Sequence, residues 1–303
     1  MALRILVVGG TGLIGGHAAL HLRTLGHTVH IAARHPPPAA TPMAALPFAP
    51  LDYLHAEADA LAGFDALVFC AGNDIRHVPP DADADAHWQR ANAEGVPRFF
   101  SQARDAGIRR AVLVGSFYPQ AMPALVDRDA YVRGRKLADD GARALAGDDF
   151  AVCSVNAPFV AGTVPGLVVP GLAAHAAYAL GRLPQIPPFA IPGGVNFMST
   201  RSLSEAIAGA LQRGAPGHAY LVGDENLGFA DYFGALFRAA GRNDPLPVLD
   251  REHPLLPDAI LYAGRGGTIH YEPDAAETAL LGYRRGDMQA TLSEIVAFYR
   301  DAT

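Results

Sequence analysis

A short apolar run over residues 3–8 ends directly in glycines, Val8-Gly9-Gly10-Thr11-Gly12-Leu13-Ile14-Gly15. An apolar-periodic segment over residues 13–25 follows and stops at Gly26. This juxtaposition constrains the fold more than any other feature. A run without alternation predicts a strand buried on both faces, and helices must then cover both sides of its sheet. The glycines fit a strand-to-helix turn. Gly9 permits the tight turn, Gly12 lets backbone approach a pyrophosphate, and Gly15 lets the helix pack closely on the strand. The N–H groups of Thr11, Gly12, Leu13 and Ile14 then face an anion at the positive end of the helix. The spacing is G-x-x-G-x-x-G rather than G-x-G-x-x-G. In this context it predicts a dinucleotide site, against the alternative of a plain tight turn.

The same alternation continues. Residues 28–33, 48–51, 66–70, 111–115 and 150–155 read as strands, and residues 86–106 and 131–145 as helices. Residues 35–50 hold six prolines, which argues for an irregular connection. The expected architecture is α/β, a parallel doubly wound sheet. After Pro158 the pattern loosens. Residues 162–194 are rich in Pro and Gly and read as loops over a cleft. A helix over 202–212, a strand over 218–222 and helices over 229–240 and 288–299 follow. The expected division is a dinucleotide-binding domain over 1–160 and a smaller, interleaved substrate lobe over 161–303. Residues 195–223 are expected to return to the first domain.

Composition narrows the functional classes. The chain has 303 residues, half of them hydrophobic, with a formal charge of −6, which argues against a general nucleic-acid binder. Its two cysteines, Cys70 and Cys153, lie in strand-like runs and read as free thiols in a reducing compartment. No leader-like segment opens the sequence. The longest apolar stretch, residues 166–180, is too short to span a membrane and contains Pro170 and His175. A cytoplasmic protein without membrane contact is the expectation. Of 24 basic side chains only one, Lys136, is a lysine.

The end of the second strand bears on which dinucleotide binds. An acidic residue there would accept from a ribose 2′-OH; this chain has Ala32-Ala33-Arg34-His35. Arg34 suits a 2′-phosphate and can stack on adenine, so NADP is favoured over NAD. A solvated arginine is the alternative. Asp52 is a candidate for the adenine amino group, or an ordinary turn aspartate.

Several further segments resemble the extended and atypical short-chain dehydrogenase/reductase superfamily, near its epimerase/dehydratase and dihydroflavonol-reductase-like branch. Phe69-Cys70-Ala71-Gly72 resembles the strand passing under the cofactor, and Asn92 to Gly95 its N-x-x-G helix motif. Residues 107–116 (GIRRAVLVGS) resemble its fifth strand, which ends in a catalytic serine. Asn156-Ala157-Pro158-Phe159-Val160 resembles the nicotinamide-contacting turn, with Ala157 where an Arg is usual. Residues 196–200 resemble the returning strand of its C-terminal half. The resemblance implies a Rossmann-type fold and hydride transfer at a carbonyl or alcohol carbon of a small molecule. It also implies Ser116 holding the substrate oxygen, against a strand-end serine capping the next turn, Asn92 ordering the lysine region, against an ordinary helix-surface amide, and cofactor contacts from Cys70, Ala71, Gly72, Pro158, Phe159 and Val160. A homodimer is common in that family and stays open here.

The family's Y-x-x-x-K motif is altered. The segment reads Tyr131-Val132-Arg133-Gly134-Arg135-Lys136. A tyrosine with an ordinary pKa near 10 needs a cation beside it to act as a base at neutral pH. Arg135 lies at i+4 from Tyr131; Lys136 lies at i+5, turned by about 140° in a regular helix. Tyr131 is the candidate acid/base, with either Arg135 or Lys136 as its cation.

Other candidates are weaker. His17 and His21 are four apart but lack a third ligand, so no metal is expected. Asp81, Asp83 and Asp85 do not match a calcium loop. Phe117, Tyr118 and Met122 suit either an apolar substrate pocket or core packing. Three functions remain. The first is an NADP-dependent reductase of a ketone or aldehyde. The second is a nucleotide-sugar epimerase or dehydratase, against which stands the lone cation Arg182 within residues 162–194. The third is a dinucleotide-binding regulatory protein without turnover.

Overall fold

The computed structural model describes residues 2–74, 77–243 and 245–301. Seven strands form one parallel sheet: β1 (Arg4–Val8), β2 (Thr28–Ala33), β3 (Phe48–Pro50), β4 (Ala66–Phe69), β5 (Arg110–Ser116), β6 (Ala151–Ala157) and, from later in the chain, β9 (Ala219–Leu221). Their order is β3-β2-β1-β4-β5-β6-β9, the doubly wound Rossmann arrangement. Its direction reverses between β1 and β4, which opens a crevice at the C-terminal ends of those strands. All seven lie within a residue or two of where the apolar runs place them, the usual uncertainty of element ends.

The period of two within each strand sorts side chains into two cores. Ile5, Val7, Val112 and Val114 face one side; Leu6, Val8, Ala111 and Leu113 face the other. The first side is covered by α1 (Leu13–Thr24) and α7 (Thr200–Arg213), the second by α3 (Gly95–Asp105) and α5 (Ala130–Arg143). Each fully buried aliphatic or aromatic side chain contributes roughly 1.5–3 kcal/mol relative to exposure.

Three expectations change. The helix expected over 86–106 is two helices, α2 (Ala84–Trp88) and α3, joined by a π-helical turn, Gln89–Glu94. Asp83 caps α2 by accepting from the Asp85 N–H at 3.0 Å, which accounts for part of the acidic run. Within residues 162–194, expected as loops, lies α6 (Pro170–Ala179). Pro170 opens it, where a missing N–H costs nothing, and Leu172, His175, Ala176 and Tyr178 are buried. Finally, residues 195–223 divide. Helix α7 and β9 join the first unit, but β8 (Gly194–Ser199) lies in a second sheet.

That second sheet builds the C-terminal lobe. Strand β8 pairs in parallel with β7 (Phe159–Ala161) and β11 (Thr268–Ile269), and antiparallel with β10 (Glu225–Gly228). Helices α6, α8 (Phe229–Ala239) and α10 (Met288–Asp301) enclose its core, rich in Phe197, Tyr232, Phe233 and Ile295. The short α4 (Tyr118–Ala121) follows β5, and α9 (Ala275–Leu281) packs on α7. Among the described residues no helix is long and apolar enough to cross a membrane, and no group of three metal-ligating side chains occurs. Cys153 is buried and Cys70 half-buried; both are free, and burial pushes each thiol up to about 12.

His17 serves the packing of α1 on α7. Its Nδ1 is 2.7 Å from the Ser204 hydroxyl, and burial first, then the charge of His21, lowers its pKa from 6.5 to about 4. His253, packed among Tyr178, Phe189 and Phe233, is likewise lowered to about 4 by burial. The fold takes up no proton on these rings until the pH nears 4, whereas an unfolded histidine protonates near 6.5. Their contribution is complete above the unfolded value and is lost as pH falls toward the folded one. The loss is at most about 1.4 kcal/mol per pH unit for each ring. Denaturant midpoints measured from pH 7.5 to 4.5 should therefore fall, and less steeply in His17→Gln. An equal slope in both proteins would contradict the assignment.

Candidate active site

The site forms where β1 gives way to α1. Gly9 has φ +80°, and a Cβ there would lie 2.8 Å from the Cys70 carbonyl carbon. A Cβ on Gly15 would lie 2.3 Å from the Gly9 oxygen. Both positions bring backbone against backbone, as the motif requires. Gly12 is different. It is exposed, and the nearest atom to a Cβ on it is 3.6 Å away. Gly12 is the N-cap of α1, with no side-chain cap and no acidic residue in the first turn. The helix N-terminus is thus open toward the crevice, with Thr11, Leu13 and Ile14 half-buried beside it. These residues fit a dinucleotide pyrophosphate.

Arg34 is exposed at the end of β2, and among the described residues no carboxylate pairs with it. Asp52 is a turn residue. One carboxylate oxygen accepts from the Leu54 N–H at 3.1 Å and the other is 3.0 Å from His55 Nδ1. Beyond β4 the chain passes through Cys70, Ala71 and Gly72 to Asn73. Asn92, buried in the π-helical turn, grips Asn73 by accepting from its N–H at 3.3 Å and donating to its carbonyl at 3.0 Å. The Asn73 side chain in turn donates to the Tyr53 hydroxyl at 2.7 Å. Asn92 therefore fixes the loop under the crevice.

Asp129 caps α5 by accepting from the Val132 N–H at 2.9 Å, which sets Tyr131 in the first turn. Arg135 follows one turn later. It donates from Nη1 to the Tyr131 hydroxyl at 3.4 Å and from Nη2 to the Val114 carbonyl at 3.2 Å. Its guanidinium lies against Gly72, where a Cβ would come within 2.7 Å of Nη1. Gly72, Asn92, Gly115 and Arg135 line one small cavity. Lys136 turns elsewhere. It is paired with Asp140 and its side chain is 43% exposed. Of the two expected cations, helix geometry brings Arg135 to the tyrosine and leaves Lys136 on another face.

Ser116 is buried at the end of β5; its hydroxyl accepts from the Tyr118 N–H at 3.5 Å. Among the described residues no hydrogen bond joins it to Tyr131. Pro158 is buried, Val160 packs on the sheet-side core, and the Phe159 ring packs on Phe197 at 5.0 Å, within the C-terminal lobe. As a side chain, Phe159 is a lobe contact.

Sequence reasoning missed other residues. Trp88 meets Tyr131 edge-on at 5.5 Å, and Tyr262, from the C-terminal lobe, stacks on Tyr131 at 5.1 Å. Neither lies in a motif. Asn156, named in the sequence only as the start of the nicotinamide-contacting turn, donates to Gln120 at 2.6 Å and Asp139 at 3.2 Å, and its Oδ1 fills the space that a Cβ on Gly115 would need.

A parallel sheet with an open helix N-terminus at its switch point, and a Tyr/Arg pair across the crevice, define a Rossmann-type chain of the short-chain dehydrogenase/reductase kind. The family model of the NAD dependent epimerase/dehydratase family matches residues 5–177, and the chain belongs to that family. No curated protein matches it significantly. Among solved structures it is similar to gox2253, with a TM-score of 0.77 and 20% identity over 100% of this chain and 99% of that one. WbmG of Bordetella bronchiseptica, solved with NAD and UDP, gives 0.74 and 18% over 100% and 96%. UDP-N-acetylglucosamine 4-epimerase from Bacillus cereus gives 0.74 and 14% over 99% and 97%. At such identities the likeness shows the fold.

The glycine geometry separates two substitutions. Gly9→Ala should destabilise the fold, with about 1–2 kcal/mol from the left-handed backbone alone and more from the Cys70 contact. Gly12→Ala should leave the melting temperature nearly unchanged while weakening dinucleotide binding. Calorimetric titration with NADP and NAD alongside thermal melts checks both.

Proposed function

We propose that the chain is a dinucleotide-dependent enzyme of the epimerase/dehydratase type, acting at a carbinol carbon of its substrate. A bound nicotinamide would accept and return a hydride. The residues of the glycine loop would hold the pyrophosphate, and Arg34 a 2′-phosphate, so NADP is the proposed form. Tyr131 takes the hydroxyl proton as the carbinol C–H bond breaks and the carbonyl forms, and gives it back in the reverse step. Arg135 supplies a fixed positive charge beside that hydroxyl, and Ser116 holds the substrate oxygen. Hydride returned to the opposite face of the carbonyl would give an epimer; loss of water first, as a proton from the carbon beside the carbonyl and the hydroxyl from the next carbon, would leave an enone whose far carbon would take the hydride. The Tyr131–Arg135 contact carries this reading. Family membership supports it ahead of simple carbonyl reduction, and the UDP or UDP-sugar named for several solved neighbours suggests nucleotide sugars as substrates.

One observation favours a second reading, net reduction of an uncharged ketone or aldehyde. A nucleotide diphosphate calls for cations, and many arginines of the lobe are committed elsewhere. Arg182 donates to the carbonyls of Tyr299 and Arg300, and Arg242 to those of Tyr178 and Ala179. Arg265, Arg284 and Arg285 pair with carboxylates.

Two assays decide. UDP-glucose turned over without net change in NADP absorbance supports the first reading, and stoichiometric NADPH loss with acetophenone the second. Tight dinucleotide binding with neither activity would overturn both. Tyr131→Phe should lower kcat by about 10²–10⁴-fold, whereas Lys136→Met should leave it unchanged. Arg34→Ala should abolish the preference for NADPH over NADH; its retention would refute the 2′-phosphate role.

A further inference from the structure

Tyr262 lies in the loop following the turn Asp258–Ile260, within the C-terminal lobe, yet its ring packs on rings of the dinucleotide-binding unit. It stacks on Tyr131 with an interplanar angle of 21° and meets Tyr118 edge-on at 4.9 Å. Trp88 and the Arg135 guanidinium, 5.5 Å and 6.0 Å from the Tyr131 ring, occupy other approaches, and Tyr131 is only 7% exposed. Behind Tyr262 is a cavity of about 20 Å³, far below the ~300 Å³ at which small-molecule pockets usually begin. Its lining includes Tyr118, Val195, Phe229, Leu261 and Ile269, and no charged residue contributes to it. Such a wall offers no partner to a phosphate or to a ring studded with hydroxyls, and burying those groups unpaired is costly.

The loop is held at its base by side chains and is closed near its tip by a backbone bond from the Gly264 N–H to the Leu261 carbonyl at 2.7 Å. Arg265 pairs with Asp258 and Asp250, and the Gly266 N–H donates to the Pro192 carbonyl at 3.2 Å. Gly264 and Gly266 have φ +77° and +82°. Among the described residues no hydrogen bond secures the Tyr262 hydroxyl. Withdrawal of its ring costs stacking and apolar contact, breaks no side-chain hydrogen bond among the described residues, and leaves a ring-sized space over Tyr131 that joins the cavity behind it.

We propose that Tyr262 is the specificity-determining residue of this site, a movable ring that covers Tyr131 and gives up its place to the ring of an uncharged, apolar carbonyl or alcohol substrate. This rests on the Tyr131 reading above and takes the second of the two substrate readings.

The single tryptophan, Trp88, lies in the same cluster and reports on it. In the full chain, acetophenone should change Trp88 emission saturably, in the presence or absence of NADP, and UDP-glucose should not. Tyr262→Ala should lower the KM for acetophenone up to about tenfold, because no stacked ring then has to be displaced, with a smaller change in kcat, and Tyr262→Phe should keep the wild-type value. A Trp88 response to UDP-glucose alone, no response to either probe, or an unchanged KM in a folded Tyr262→Ala protein would each overturn the proposal. Tyr131→Phe separates the two readings. Loss of turnover with a retained Trp88 response supports both, whereas full turnover in that variant removes the acid/base reading and leaves the Tyr262 contact to stand on its fluorescence.

Discussion

Backbone meets backbone at the end of β1, and the rest of the site depends on that contact. With side chains absent at Gly9 and Gly15, the first helix, the first strand and the end of β4 converge at distances no Cβ would allow. The convergence places the open N-terminus of α1 at the switch point of the sheet. It also fixes the Cys70–Asn73 segment as the floor of the crevice, held from the far side by Asn92. The dinucleotide-binding geometry is therefore a property of packing rather than of any one polar side chain.

Across the crevice, helix register decides the chemistry. Asp129 sets the start of α5, and a period of 3.6 residues then carries Arg135 to Tyr131 and Lys136 to Asp140. The guanidinium is accommodated because Gly72 has no side chain and the Val114 carbonyl accepts its second nitrogen. An arginine in this position differs from an ammonium in presenting a planar fork that bridges two acceptors. The lone lysine, conspicuous in the composition, is a half-exposed helix residue.

What was legible in the sequence was local. The strands of the parallel sheet and the helices α1, α5, α7, α8 and α10 follow from runs of apolar residues and from glycine stops, because burial on both sheet faces leaves a continuous apolar signal. The glycine loop was readable for the same reason, and the i+4 pairing of Tyr131 with Arg135 was one of two registers already in view. Features made by distant pairing left no such trace. Strands β7, β10 and β11 are two to four residues long and depend on β8 for partners. Helix α6 hides between the prolines and glycines that flank it. The π-helical turn has no composition of its own. Tyr262 and Trp88 reach Tyr131 only through tertiary structure, so neither periodicity nor motif spacing marks them.

The central claim is that a dinucleotide lies over the glycine loop, with Arg135 rather than Lys136 serving its reactive end. A crystal structure of the chain with NADP tests this most directly. The account predicts the pyrophosphate at the N–H groups of Gly12 and Leu13, Arg34 at the 2′-phosphate, and the Arg135 guanidinium between Tyr131 and the nicotinamide half. A dinucleotide bound elsewhere, or Lys136 released from Asp140 to take the place of Arg135, would contradict it.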